Sequence, residues 1–293
     1  MTSSQTGLHG RVALVTGANS GLGKVVATEL ARLGATVAMV ARDPGRGTAA
    51  QNEIRASSGS QAVHLFCADL SSQEAVRTLA SRVLAQFDRL DLLINNAGTA
   101  FRERRLSVDG IEMALAVNHL APFLLTSLLL ERLAASAPAR IINVGTRIDT
   151  AMDLDDLQWE QRRYRMMAAY GQSKLGLIHF TYELARRLQG TGVTVNCVFP
   201  GVFRSNLGGT DGAQGPVMRL AIRLLGWAVP PPRKAAERVL YLATSPEAAA
   251  LNCRYVAARG QVISSPDQTN DPDMNRRVWE VSARLTGLAE SPR

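Results

Sequence analysis

Short apolar runs alternate with longer stretches of helical period along this chain. Residues 11–16, 35–41, 62–67, 90–94, 140–144 and 193–199 carry few polar interior positions and read as strands. Near-continuous apolar strands are what a parallel sheet covered on both faces requires, because neither face meets water. Between them, residues 22–33, 47–57, 73–86, 122–135 and 167–188 recur with helical spacing. Regular alternation of strand and helix implies right-handed crossovers and a doubly wound α/β parallel sheet. No internal repeat or low-complexity linker divides the chain, so residues 1–293 read as a single domain, with a distinct segment at 203–234 and a polar tail or helix over 265–293.

Composition narrows the class. The chain has 293 residues, 46% of them hydrophobic and 20% charged, which excludes disordered and collagen-like proteins. Cys67, Cys197 and Cys253 are far apart among apolar neighbours, so reduced, buried thiols are predicted, with no disulfide framework and no metal site. Residues 1–10 are short and polar, unlike a signal peptide. The apolar run 120–130 is interrupted by Pro122 and falls short of the ~20 residues of a membrane span. A cytoplasmic protein without a membrane span is expected. The balance of 33 basic to 25 acidic residues gives a net charge of +8, carried almost wholly by arginine. Arg102, Arg104 and Arg105, and Arg162, Arg163 and Arg165, have Glu103 and Glu160 beside them and no interleaved aromatics, so solvated faces are predicted and nucleic acid is not. The acids Asp149, Asp153, Asp155 and Asp156 have no histidine partner and read as a solvated loop.

The first strand runs into Thr16-Gly17-Ala18-Asn19-Ser20-Gly21-Leu22-Gly23, and a helix follows at once. Glycine-rich turns are common, but one between the first strand and first helix of a βαβ unit is where a diphosphate sits against a helix amino terminus. The second strand ends at Ala41, followed by Arg42. An acid at this point would bind a ribose 2′-hydroxyl; a guanidinium suits a 2′-phosphate, which favours NADP(H) over NAD(H). Asp43 reads as the start of a turn, Asp43-Pro44-Gly45. Asp69, after the third strand, is open to two readings: a hydrogen bond to adenine, or a cap for the next helix.

Tyr170 and Lys174 lie four apart in a helical stretch and share one face. A phenol has a pKa of ~10 when unperturbed, and an adjacent ammonium favours its phenolate, drawing it toward use as a general acid or base. Taken alone, such a pair is common on helix surfaces. Its context is Asn95-Asn96-Ala97-Gly98 after the fourth strand, Asn118 in a helical stretch, Thr146 after the fifth strand and Pro200-Gly201 after the sixth. These segments converge at the carboxyl ends of a parallel sheet, where ligands bind.

Taken together, these motifs resemble the short-chain dehydrogenase/reductase family over essentially the whole chain. Residues 106–110, 118–120, 123–126, 183–188 and 276–282 extend the resemblance to its retinol dehydrogenase-like branch. The resemblance implies a Rossmann-type domain and an NAD(P)-dependent oxidoreductase, in which Tyr170 is the general acid in carbonyl reduction and the base in alcohol oxidation. It implies that Lys174 lowers the tyrosine pKa and holds the nicotinamide ribose, and that Asn118 supports a water leading protons to Lys174. The family's serine falls at Thr146, which keeps the hydroxyl but adds a β-branched methyl. Gly17, Asn19, Ser20, Gly21, Leu22, Gly23, Arg42, Asp69, Leu70, Asn96, Ala97, Gly98, Pro200, Gly201 and Val202 are the implied cofactor contacts, with Tyr170 and Lys174. His119 reads as a packing residue, and Tyr164 lacks a lysine four positions on.

Residues 203–234 cover the substrate in this family. Here residues 217–227 have an amphipathic pattern and Pro230-Pro231-Pro232 suggests an extended exit; a lid, or a helix packed on the body or on a second subunit, are both open. The expected substrate is a lipophilic carbonyl or secondary alcohol, and the expected assembly a homodimer or homotetramer. Two rivals keep the fold: a non-redox enzyme of cyclisation, dehydration or epimerisation, and a dinucleotide-binding sensor.

Overall fold

A computed structural model describes residues 7–147, 150–203 and 230–288. Its strands are β1 Val12–Thr16, β2 Thr36–Ala41, β3 Val63–Cys67, β4 Leu92–Asn95, β5 Ala139–Val144, β6 Val193–Val198 and β7 Arg254–Val256. They form a seven-stranded sheet in the order β3-β2-β1-β4-β5-β6-β7, every pairing parallel. Helices α1 Gly21–Arg32, α2 Pro44–Ser58 and α6 Pro232–Thr244 cover one face. Helices α3 Gln73–Gln86, α4 Met113–Ala135 and α5 Met166–Arg187 cover the other, joined by α7 Pro272–Leu285.

The strands divide their side chains between two cores by simple alternation. From β1, Val12 and Leu14 enter the α3–α5 side while Ala13 and Val15 enter the α1–α2 side; β2 repeats this with Ala38 and Val40 against Val37 and Met39. Because both sides are buried, the strands lack a polar face. The chain reverses direction across the sheet between β1 and β4, and a crevice at the carboxyl ends follows from that switch.

Several polar groups inside this core are paired across elements, although Asn95 Oδ1 has no partner among the described residues. Asn95 Nδ2 donates to Asn143 Oδ1 at 2.8 Å and to Thr126 Oγ1 at 3.1 Å, and Asn143 Nδ2 donates to Thr181 Oγ1 at 2.9 Å. Asn95 and Asn143 are direct register partners on β4 and β5, and all four residues are buried. At the opposite end of the sheet, buried Asp91 accepts from the Val12 N–H at 2.8 Å and pairs with Arg11 and Arg89. Burial pushes its carboxyl up, but the hydrogen bonds from Arg89, Arg11 and Val12 prevail and hold it below the usual carboxylate range.

Several expectations change. Pro122 does not interrupt its helix: α4 runs from Met113 to Ala135, and Pro122 stands in the first turn after a π-helical stretch, Ala116–Leu120, where a missing N–H costs little. By length and composition that helix could cross a membrane, with a mean hydropathy of 1.7 over its most apolar window, yet 72% of the window is buried inside the fold. The tail after Ser264 contains α7, capped by Asp271 and docked through Val278, Ser282 and Ala283. His119 Nε2 meets Ser282 Oγ there at 2.7 Å, and burial lowers the His119 pKa to about 3. Pro232 begins α6 instead of closing an extended exit. Cys197 is buried, but Cys67 and Cys253 are only half-buried; all three are free thiols. The amphipathic residues 217–227 lie outside the described residues, as does Asp149.

Candidate active site

The turn after β1 is made of backbone. Gly17 and Gly21 have φ of +64° and +54°, the left-handed region that favours glycine. A side chain at Gly23 would collide with the Gly17 carbonyl and the Asn96 amide. Asn96 closes the turn from β4: its Nδ2 donates to the Thr16 carbonyl at 2.8 Å, and the N–H groups of Asn96 and Ala97 donate to Thr16 Oγ1 at 2.9 and 3.1 Å. Ser20, the residue before α1, makes no side-chain cap, which leaves the first N–H groups of the helix, at Gly21, Leu22 and Gly23, for an anion. Asn19 is half-buried beside them. This cradle, closed to any Cβ at Gly23, fits a dinucleotide diphosphate.

Beyond β2, Arg42 is exposed. Asp43 does not open a turn; it is the N-cap of α2, its Oδ1 accepting from the Arg46 N–H at 2.7 Å. The neighbouring acid is thereby occupied, while the guanidinium at 42 faces solvent. Asp69 is exposed and accepts from the N–H and hydroxyl of Ser71 at 2.9 and 2.8 Å; the cap of α3 is Ser72. Leu70 packs against the α3–α5 core. Gly98 is exposed after β4. Pro200 is buried after β6, Gly201 has φ +81°, and Val202 is 79% exposed.

Thr146, Tyr170, Lys174 and Asn118 meet at the carboxyl ends of β4 and β5. The Thr146 hydroxyl neighbours the Tyr170 phenol; burial pushes the phenol up, and the Thr146 side chain pulls it the other way. Lys174 is buried and donates from Nζ to the Val144 carbonyl at 2.8 Å. Burial lowers its pKa to about 8, with the nearby Cys197 thiol opposing. A Cβ on Gly98 would lie 3.4 Å from Lys174 Nζ and 3.5 Å from Asn118 Oδ1, so the amine and the amide flank the same exposed glycine. Asn118 is fully buried in the π-helical stretch; its Oδ1 accepts from the Thr99 N–H at 2.7 Å and its Nδ2 donates to the Thr99 carbonyl and to Ser173 Oγ, each at 2.9 Å. Pro122 has no N–H to give the Asn118 carbonyl four residues earlier.

Residues 150–165, which link the Thr146 loop to α5, are not the solvated stretch their acids suggested. Arg162 pairs with Asp153 at 3.0 Å and Asp156 at 3.3 Å, lies 3.8 Å over the Trp159 ring, and donates to Gln172 Oε1 at 2.7 Å. Buried Asp156 accepts from the Glu160 and Gln161 N–H groups at 2.6 and 3.2 Å. Gln172 Nε2 returns a bond to the Leu157 carbonyl at 2.9 Å. Nearby, Tyr164 donates to Glu112 Oε1 at 3.1 Å, and buried Glu112 caps α4 by accepting from Ala114 and Leu115. Burial raises the Glu112 pKa against those bonds. Arg104 donates to the Gln158 carbonyl at 2.8 Å and pairs with Glu160. Arg104 and Arg162 thus organise the segment, and the reading of both arginine clusters as solvated faces fails at these two. Sequence reasoning also missed Ser173, Glu112 and Tyr255, whose phenol donates to the Thr146 carbonyl at 2.8 Å. Glu112 carries one readable signal, an acid just ahead of a helical run; Tyr255 carries none.

The chain belongs to the short-chain dehydrogenase/reductase family, whose short chain dehydrogenase profile matches residues 11–214; it is an NAD(P)-dependent oxidoreductase. Within that family it is retinol dehydrogenase-like. Human retinol dehydrogenase 13 is 42% identical over 293 residues, covering 99% of this chain and 88% of the relative. An uncharacterised protein of known structure from Mycobacterium paratuberculosis is 32% identical, with a TM-score of 0.79 over 99% of this chain and 98% of that one. A short chain dehydrogenase from Burkholderia cenocepacia, solved in complex with NADP, is 29% identical, with a TM-score of 0.66 over 87% of this chain and 98% of that one.

Proposed function

We propose that the protein reduces a carbonyl on a lipophilic small molecule with NADPH, and runs the reverse oxidation of a secondary or allylic alcohol. The observation that carries this is the Thr146–Tyr170 hydroxyl pair with Lys174 one helical turn on. When bound, the dinucleotide supplies the hydride; its diphosphate would lie on the α1 amino terminus, its 2′-phosphate near Arg42 and its adenine near Asp69 and Leu70.

The protein's own groups manage the oxygen and the proton. Thr146 Oγ1 and Tyr170 Oη bind the substrate oxygen as hydrogen-bond donors, and these bonds strengthen as that oxygen gains negative charge. Tyr170 then gives up its proton. In this structure burial holds the phenol protonated and Lys174 does not lower it; the counter-charge of Lys174 matters once the phenolate forms. Lys174 in its protonated form stabilises the phenolate left behind, and Asn118, at the loosened turn of α4, holds the water that returns the proton. The names of the retinol dehydrogenase relatives support a lipophilic alcohol or aldehyde as substrate. We further assign the enzyme to the cytoplasm as a homodimer or homotetramer of single-domain chains.

Absorbance at 340 nm with NADPH and a panel of long-chain and polyene aldehydes tests the reading. Consumption is expected, and Tyr170→Phe should lower kcat by ~10³-fold or more while NADPH still binds. A Tyr170→Phe enzyme of normal activity would overturn the assignment, and product formed without NADPH consumption would point to non-redox chemistry.

A further inference from the structure

From Val144, the last paired residue of β5, three consecutive residues are anchored by three different elements. The Val144 carbonyl accepts from Lys174 Nζ at 2.8 Å, the Gly145 N–H donates to the Val198 carbonyl at 2.9 Å, and the Thr146 carbonyl accepts from the Tyr255 phenol at 2.8 Å. The first two anchors come from elements flanking the site. The third comes from β7, 109 residues further along the chain. Tyr255 is 1% exposed, clustered with Ile178 and Cys197. Burial pushes its phenol well above the usual range, so it serves as a fixed neutral donor. The peptide it holds rests directly on this floor: a Cβ on Gly145 would touch the Tyr255 ring at 3.5 Å and press into Cys197 Sγ.

This floor matters because residue 146 is a threonine. A β-branched side chain is stiff at χ1, so the direction of its hydroxyl is inherited from the backbone, whereas a serine can turn its hydroxyl to suit. We propose that Tyr255 is a positioning residue: by holding the Thr146 carbonyl it aims the threonine hydroxyl at Tyr170 Oη and the substrate oxygen. The inference rests on the reading of Thr146 and Tyr170 as partners in the reaction. It has a signature that plain structural support lacks, since the contribution of Tyr255 must depend on which hydroxyl residue stands at 146.

The test is a double-mutant cycle on the full chain, Tyr255→Phe with Thr146→Ser, read in kcat, in NADPH affinity and in the NMR couplings of the Thr146 methyl. In the threonine enzyme, Tyr255→Phe is expected to lower kcat about tenfold with NADPH affinity within about twofold, since a donor displaced by a fraction of an ångström is costly. In the Thr146→Ser background the same change should cost less than about twofold. The Thr146 couplings should pass from one χ1 rotamer to an average when the phenol is removed. Tyr255→His, which keeps a shorter ring donor, should fall between tyrosine and phenylalanine, and it decides the matter if the phenylalanine variant does not fold. An equal loss in both backgrounds, or no loss in either, would overturn the proposal. Averaged couplings in an enzyme whose Tyr170→Phe variant remains active would instead uphold Tyr255 and refute the assigned reaction.

Discussion

The turn between β1 and α1 is built from backbone, and the segment 150–165 is built from side chains. In the turn, two glycines take positive φ, a third admits no Cβ, and the only side chains that matter are Thr16 and Asn96, which clasp the main chain. In the segment, Arg162 gathers Asp153, Asp156, Trp159 and Gln172, while Trp159 itself stands at φ +58°, a conformation L-residues avoid. One region leaves bare N–H groups that fit an anion common to many enzymes. The other ties the loop after Thr146 to the helix that carries Tyr170, two residues before Gln172. Backbone geometry suits a ligand that never changes; a side-chain network suits a part that can be re-specified for each substrate.

If that division is real, damage to the two regions should separate in the kinetics. Gly23→Ala should produce the larger effect, lowering NADP(H) affinity by about a hundredfold or more because the new methyl meets a backbone carbonyl that cannot retreat. Titration of NADPH fluorescence measures it, and normal affinity would remove the cradle from the argument. Next comes Arg162→Ala, which should reduce kcat about tenfold with cofactor affinity nearly unchanged, since its partners hold α5 and not the glycine turn. A joint loss of both would show that the regions are not separable.

Arg42→Ala sharpens the comparison from the cofactor side. With Arg42 proposed to face the 2′-phosphate, its removal is expected to shift the NADPH to NADH preference by about tenfold, with NADH turnover little altered; equal losses with both cofactors would deny Arg42 that role. The smallest effect is in pH. Lys174 is charged below about 8 and neutral above it, so the counter-charge for the Tyr170 phenolate is present at low pH and lost as pH rises through about 8. Carbonyl reduction should decline along that limb, and Lys174→Arg, which stays charged, should flatten whatever activity it retains. A decline that persists in the arginine variant must belong to another group.

The same contrast explains what could be read in advance. Strands β1 to β6 were legible because a sheet buried on both faces leaves apolar runs, and the glycine turn because its conformation is local. Strand β7 has three residues, one of them exposed, too short for any pattern. Residues 265–293 stayed open between a polar tail and a helix because the buried stripe of α7 is narrow, although Asp271 and Pro272 are an ordinary helix start. Pro122 misled because its tolerance depends on the π-helical turn before it. The Glu112–Tyr164 bond and the Tyr255 anchor are long-range pairings between ordinary residues, and the Arg162 network, though its partners lie within ten residues, follows no period that would announce it.

The amide pair of Asn95 and Asn143 carries a consequence for redesign. An apolar interior accepts many combinations of Val, Ile and Leu of similar volume, so the strands around it can be rewritten freely. A slip of β4 against β5 by one residue, however, would tear buried amides from their partners in the middle of the protein, at a cost of about 1–3 kcal/mol for each orphaned group. The pair therefore acts as an alignment key. Libraries that randomise the core should tolerate wide variation at its Val, Ile and Leu positions but not at this pair, and variants that lose the key are expected to retain compactness and yet misalign the loops that follow both strands.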